Sequence, residues 1–235
     1  MDYLILLSSI GLGAVSVFLF HLDQPRHLKP LNAFTGAYLL SLTFLHLLPE
    51  LYQTGHGDFL LIGVLILGGF YLQVALDALS QGVEHGHTHH VHGGFPIGIL
   101  AGLCVHAFVE AMALGRADTY HDPASRRLLL WSIVLHNYPV SIALLAILLH
   151  SGLGRAKALG GLGLFAAMAP LGLAVSGHTV LARHSRELMA VVIGIFMHIA
   201  TTILFEAEEG HRIHRQKLAA IVLGTGLGFA SILLD

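Results

Sequence analysis

The chain has 235 residues, 55% of them hydrophobic and only 11% charged, with a mean hydropathy of +0.75. A soluble domain carries about a quarter charged residues, so this composition excludes an ordinary water-soluble globule and points to an integral membrane protein. The net charge of −2 leaves no basic face for nucleic acid. Cys104 is the single cysteine, which excludes an intrachain disulfide and a cysteine-rich zinc finger; the 18 histidines instead suit divalent transition metals.

Apolar segments follow in chain order at Tyr3–Phe20, Leu31–Leu51, Asp58–Leu79, Phe95–Gly115, Arg126–Leu149, Lys157–Gly177, Glu187–Phe205 and Lys217–Leu234. None alternates like a strand, and each is about twenty residues long, enough to cross a bilayer as a helix at 1.5 Å per residue. The expected fold class is therefore an all-α membrane protein with eight transmembrane helices, forming a single domain over residues 1–235 in the lipid bilayer. The start Met1-Asp2-Tyr3 has no positive stretch, so the first segment reads as a retained helix rather than a signal peptide. Gly98/Gly102 and Gly224/Gly228 stand at helix-packing spacing.

With the amino terminus outside, the inner connections carry Arg26, Lys29, Arg155, Lys157, Arg212, Arg215 and Lys217. The outer ones carry Arg116, Arg126, Arg127, Arg183 and Arg186, so the positive-inside rule favours outside termini. Short connections suggest a prokaryotic cytoplasmic membrane, with an organelle still open. The linker Gln81–Gly94 reads QGVEHGHTHHVHGG. Its glycines and scarcity of apolar side chains predict a loop, in which His85, His87, His89, His90 and His92 bind metal weakly or serve as a capture site.

The chemistry lies within the apolar segments. His106 and Glu110 are four residues apart, so one helix face offers an imidazole nitrogen and a carboxylate oxygen together. Both this pair and His136 fall about 15 Å into their segments, near the bilayer midplane, where ionisable groups mark ion or proton paths. His46/Glu50 repeats the spacing in the second segment, and His198, Thr202 and Glu206 follow at successive i+4 steps in the seventh. Asp77 closes the third segment. A helix-bridging hydrogen bond is the bland alternative for His198, as is a solvated helix end for Glu50, Asp77 and Glu206. Pro139 and Pro170 would free the carbonyls of Leu135 and Ala166, and the first of these lies beside His136.

Taken together, the chain resembles the ZIP family of zinc and iron permeases. His106–Gly115 (HAFVEAMALG) is similar to the family's helix-four motif His-Asn-x-x-Glu-Gly, and His136–Val140 (HNYPV) to its helix-five motif His-x-x-Pro-Glu. Phe44–Leu51 (FLHLLPEL) and Ala169–Gly172 (APLG) resemble the end of helix two and the Pro-Leu-Gly of helix six. The resemblance implies a ZIP-like bundle with an inverted repeat relating helices one to three to helices six to eight. It also implies outside termini, a cytoplasmic His-rich loop after helix three, and motion of helices one, four, five and six in alternating access. The sequence departs from the family at Ala107, Ala111 and Val140, which replace an asparagine, a glycine and a metal-bridging glutamate. One metal site is expected rather than two.

The resulting expectation is a transporter moving a divalent metal ion toward the cytoplasm through His106, Glu110 and His136. His46 and Glu50 would mark the entrance, and Asp77, His198 and Glu206 the exit. Imidazole without thiolate suits Zn²⁺ as substrate, with Fe²⁺, Co²⁺ or Ni²⁺ as competitors and no organic cofactor. No His-Glu-x-x-His or Gly-x-Ser-x-Gly motif supports an enzyme. Rival readings are a non-transporting metal sensor on the same fold and a membrane haem protein using a facing histidine pair. Association into a homodimer stays open.

Overall fold

The computed structural model describes residues 1–22, 24–53, 59–80, 96–115, 123–178, 184–205 and 215–234. Among them there is no strand. The helices are α1 (Asp2–Phe20), α2 (Pro25–Leu42), α3 (Leu48–Gln53), α4 (Phe59–Ser80), α5 (Ile97–Met112), α6 (Pro123–His150), α7 (Arg155–His178), α8 (Ser185–Phe205) and α9 (Arg215–Leu233). A π turn at Thr43–Leu47 joins α2 to α3, so the two form one rod and the described residues make eight crossings.

Seven of these crossings are long and apolar enough to span a membrane. The other, α5, has 16 residues, about 24 Å at 1.5 Å per residue against a hydrocarbon core of about 30 Å. The sequence predicts a longer helix over Phe95–Gly115. The chain instead leaves the helix through Ala113 and Leu114, whose N–H groups bond back to the Glu110 and Ala111 carbonyls, and turns at Gly115 with φ 48°. That left-handed backbone suits glycine because it has no Cβ to clash.

One other feature was not foreseen. The second crossing is an interrupted helix: the Leu48 N–H reaches the Thr43 carbonyl, one residue beyond the α-helical partner. π turns of this kind are frequent at functional sites, and this one carries His46. α6 runs unbroken for 28 residues with Pro139 inside it.

The helices pair along their lengths as α2 with α9, α8 with α4, α1 with α6, and α7 with α5. Exchanging the first crossing with the sixth, second with seventh, third with eighth and fourth with fifth reproduces the same four pairs. This is the pattern an inverted repeat requires. Without a hydrophobic drive between helices in lipid, close backbone approach has to hold such pairs, and small residues permit it. Gly69 of α4 packs against the Val191 carbonyl, and Gly194 of α8 against the Ile66 carbonyl, so that pair is seated from both sides. Gly224 and Gly228 of α9 lie on Phe34, Tyr38 and Ser41 of α2, as their spacing predicts. A Cβ at Gly102 of α5 would lie 3.0 Å from the Leu76 carbonyl oxygen of α4.

Buried side chains gather into two apolar clusters. One holds Leu128–Val134 of α6 with Ala111–Leu114 at the end of α5; the other holds Val140–Leu148 of α6 with Ile99–Ala107 of α5. Both helices pass from one cluster to the other, and the polar residues His106, Glu110 and His136 lie at the passage. On the outside, α4 and α9 expose Leu60, Leu67, Val222, Leu223 and Phe229. Such surfaces are costly in water and at home in hydrocarbon.

Gly69→Ala is expected to lower the thermal unfolding midpoint in detergent, with overpacking of about 1–3 kcal/mol. Gly68→Ala, whose Cβ meets nothing within 4 Å, should leave the midpoint unchanged or raise it. Equal melting of the two variants would contradict the seating of α4 on α8.

Candidate metal centre

α5 contributes two ligands because i and i+4 share a helix face. His106 Nε2 lies 3.2 Å from Glu110 Oε1, and both side chains are 0% exposed. α6 contributes His136, also buried, whose ring stands edge-on to that of His106 at 5.6 Å between centroids and 79° between planes. One ligand atom from each of the three residues lies within 4.8 Å of the others. Among the described residues this is the one His/Cys/Asp/Glu group that brings three metal ligands together. A tetrahedral zinc with ligands at about 2.0–2.1 Å separates them by about 3.3 Å, so the group closes on an ion with shifts of about 1 Å.

Two further polar residues belong to this neighbourhood and were missed from the sequence. Gln73 of α4 is 0% exposed, and His106 Nδ1 donates to its Oε1 at 3.0 Å. The signal was present: a lone amide in the apolar run of α4, four residues before Asp77. Asn137, next to His136, is fully buried, and neither its Nδ2 nor its Oδ1 has a hydrogen-bond partner among the described residues. Four residues beyond His136 stands Val140, buried in the second apolar cluster.

The other sequence-predicted residues form two separate couples. His46 Nε2 is hydrogen-bonded with Ser125 Oγ at 2.8 Å and lies 3.7 Å from Glu50 Oε2. Ser125 is eleven residues before His136 along α6, so this couple stands about 16 Å from the centre. His198 Nε2 lies 3.8 Å from Asp77 Oδ2, and its ring meets Phe70 edge-on. Asp77 follows Gln73 by four residues on α4, about 6 Å along the axis. The structure thus joins Asp77 to His198 but brings neither couple into the central group. Glu206 and the loop histidines His85, His87, His89, His90 and His92 lie outside the described residues.

Arginines secure the helix ends near the His46 couple. Arg126 binds Asp2 through Nη2 at 2.6 Å and donates from Nε to the Leu114 carbonyl at 3.0 Å, tying α6 to α1 and to the end of α5. Arg186 of α8 donates from Nε and Nη2 to the Leu51 carbonyl of α3, each at 3.2 Å. Such bonds hold the interhelical geometry on which the central group depends.

Comparison with known proteins follows the same residues. Residues 95–234, which include α5 to α9, match the family model described as ZIP Zinc transporter. The chain is 29% identical over 177 residues to zinc transporter ZIP9-B of Xenopus laevis, covering 68% of this chain and 57% of that protein. It is also 29% identical over 144 residues to zinc transporter ZIP9 of Macaca fascicularis, covering 52% of this chain and 61% of that one. With zinc transporter ZIP9 of Micropogonias undulatus the identity is 28% over 173 residues, covering 65% and 54% respectively. The chain therefore spans less than two thirds of the length of these relatives. All three are eukaryotic and lend no support to the prokaryotic membrane expected from short connections. A family match over more than half of the chain, on an eight-crossing helical bundle, establishes that this multi-pass membrane protein belongs to the ZIP zinc transporter family.

Proposed function

We propose that the chain transports a divalent metal cation, zinc foremost, toward the cytoplasm by alternating access through His106, Glu110 and His136. The observation that carries this reading is the meeting of three buried ligands, from two helices, inside apolar surroundings. A carboxylate taken out of water needs a cation or proton beside it. Two imidazoles and one carboxylate, with no thiolate, match the ligand chemistry of Zn²⁺ and, less selectively, Fe²⁺, Co²⁺ or Ni²⁺. The zinc transporters to which the chain is similar support the same cargo.

In this scheme the His46–Glu50 couple lies toward the outer entrance. The Asp77–His198 couple receives the ion on the inner side, one α4 turn beyond Gln73. Their positions toward opposite ends of α5 support such an order: Arg126, beside the Ser125 that His46 bonds, holds the Leu114 carbonyl after its end, while Gly98 near its start meets Leu79 of α4. Glu206 and the His-rich loop would extend the inner route. The ion would pass from a two-imidazole, one-carboxylate site to a one-imidazole, one-carboxylate pair, losing a ligand and therefore hold as it leaves.

A second reading is favoured by Val140. With no acid at that position the occupied centre keeps a net positive charge, and a metal sensor that binds without moving its ion would share every ligand. Flux separates the two. Glu110→Ala is expected to reduce metal-dependent uptake into reconstituted vesicles to the rate of protein-free vesicles, while the helical content in detergent stays unchanged. Uptake at the unmutated rate would remove Glu110 from the route, and no uptake by the unmutated protein would favour the sensor.

Val140 also yields a test of ligand geometry. Val140→Glu is expected to tighten Zn²⁺ binding about tenfold or more, equivalent to about 1.4 kcal/mol per factor of ten. In metal-free protein the same substitution should lower the unfolding midpoint, because the new carboxylate is buried without a cation. Unchanged affinity in a Zn²⁺ titration would show that the position does not face the ion.

A further inference from the structure

We propose that Gln73 is a positioning residue that sets which nitrogen of His106 meets the metal; this rests on the reading of His106, Glu110 and His136 as the metal site. A neutral imidazole carries one proton, and the hydrogen bond made by one ring nitrogen decides which nitrogen is left bare. An amide carbonyl oxygen has no proton to give. Because Gln73 Oε1 stands 3.0 Å from Nδ1, the proton sits on Nδ1 and Nε2 presents its lone pair. That same Nε2 is the atom 3.2 Å from Glu110 Oε1. A bare nitrogen and a carboxylate oxygen repel each other until a cation comes between them. Gln73 therefore turns a histidine–carboxylate contact into a cation-receiving gap.

The packing is built to keep Gln73 in place. Gly69, one turn earlier on α4, seats that helix on the Val191 carbonyl of α8. Gly102, one turn before His106 on α5, lets the backbones of α5 and α4 approach at Leu76. Gly102 thus brings the Gln73 amide of α4 within reach of a ring on α5, while Gly69 fixes α4 on α8. Gln73 is itself fully buried, so bulk water is not at hand to replace its oxygen if the side chain is removed. Outer partners of this kind fix ring orientation and raise ligand basicity at metal sites.

The test uses the full chain in detergent, with His85, His87, His89, His90 and His92 changed to Asn in every arm so that loop binding does not mask the centre. Zn²⁺ alone is titrated into the otherwise unmutated protein, Gln73→Leu and Gln73→Glu. Gln73→Leu keeps the bulk but offers no acceptor and should weaken binding about 10–100-fold, whereas Gln73→Glu restores an acceptor oxygen and should bind within about threefold of the unmutated protein or tighter. ¹⁵N-histidine NMR in alkaline buffer without metal, with His106 assigned by its loss in His106→Ala, should report a protonated Nδ1 and bare Nε2 in the unmutated protein. The same spectrum should show a tautomer mixture in Gln73→Leu. A bare Nδ1 in the unmutated protein, an unchanged tautomer in Gln73→Leu, or equal losses of affinity in the Leu and Glu variants would overturn the proposal. If the unmutated protein binds no Zn²⁺, the metal-site reading fails by itself, and the metal-free spectrum still decides the role of Gln73.

Discussion

A carboxylate sealed between apolar helices constrains everything around it. Glu110 is 0% exposed, and an ion of that size loses several kcal/mol of hydration when it leaves water, even after the protein relaxes. The side chain is tolerable only with a cation or a proton close by, and the Nε2 of His106 lies 3.2 Å from its Oε1. Geometry on that scale leaves little freedom to the backbone. α5 has to present two successive turns toward α6, and α4 has to approach α5 closely enough for an amide to reach the far side of the ring. Glycines at the crossings meet these requirements without any polar bond between the backbones.

The two apolar clusters show how the surroundings accommodate the polar group. Each of α5 and α6 is apolar on both sides of its polar residues, and the two helices enter the clusters in opposite chain order. The central group therefore sits at the seam of the two packed bodies rather than in the middle of either one. The pairing of α1 with α6 and α7 with α5 places the first and sixth crossings beside the same seam.

Much of this was legible in the sequence because membrane solvent imposes a simple code. Length and apolarity gave all eight crossings, and i, i+4 spacing gave both His–carboxylate couples that lie on a single helix. The Asp77–His198 contact joins residues of different helices, and no periodicity within either helix reveals which neighbour it meets. The π turn escaped for a related reason: TFLHL contains no proline or glycine to announce a change of winding. Gln73 was passed over because a neutral amide does not disturb a hydropathy pattern as a charge does. In hydrocarbon, however, an amide without a partner is costly as well, so polar neutral residues in crossings carry nearly as much information as ionisable ones. The short α5 shows the limit from the other side, since the apolar residues after Met112 leave the helix at a turn that hydropathy does not register.

The absence of an acid at Val140 bears on how a cation would be held and released. Around a divalent ion, one carboxylate cancels half of the charge, and the remaining positive charge lies in surroundings that screen it poorly. Binding is shallower than a two-carboxylate site would give. Passage has its own requirement, because an ion held too tightly does not leave, and favourable conduction needs sites that are strong enough to enter and weak enough to exit. His106 with its proton fixed on the side of Gln73 offers a ready lone pair at little reorganisation, which favours entry. The Asp77–His198 couple, one turn along the same α4, offers an acid and an imidazole of its own and so a comparable next step. In the proposed route, a centre of two imidazoles and one carboxylate, set close to a couple of one imidazole and one carboxylate, is suited to passing an ion onward.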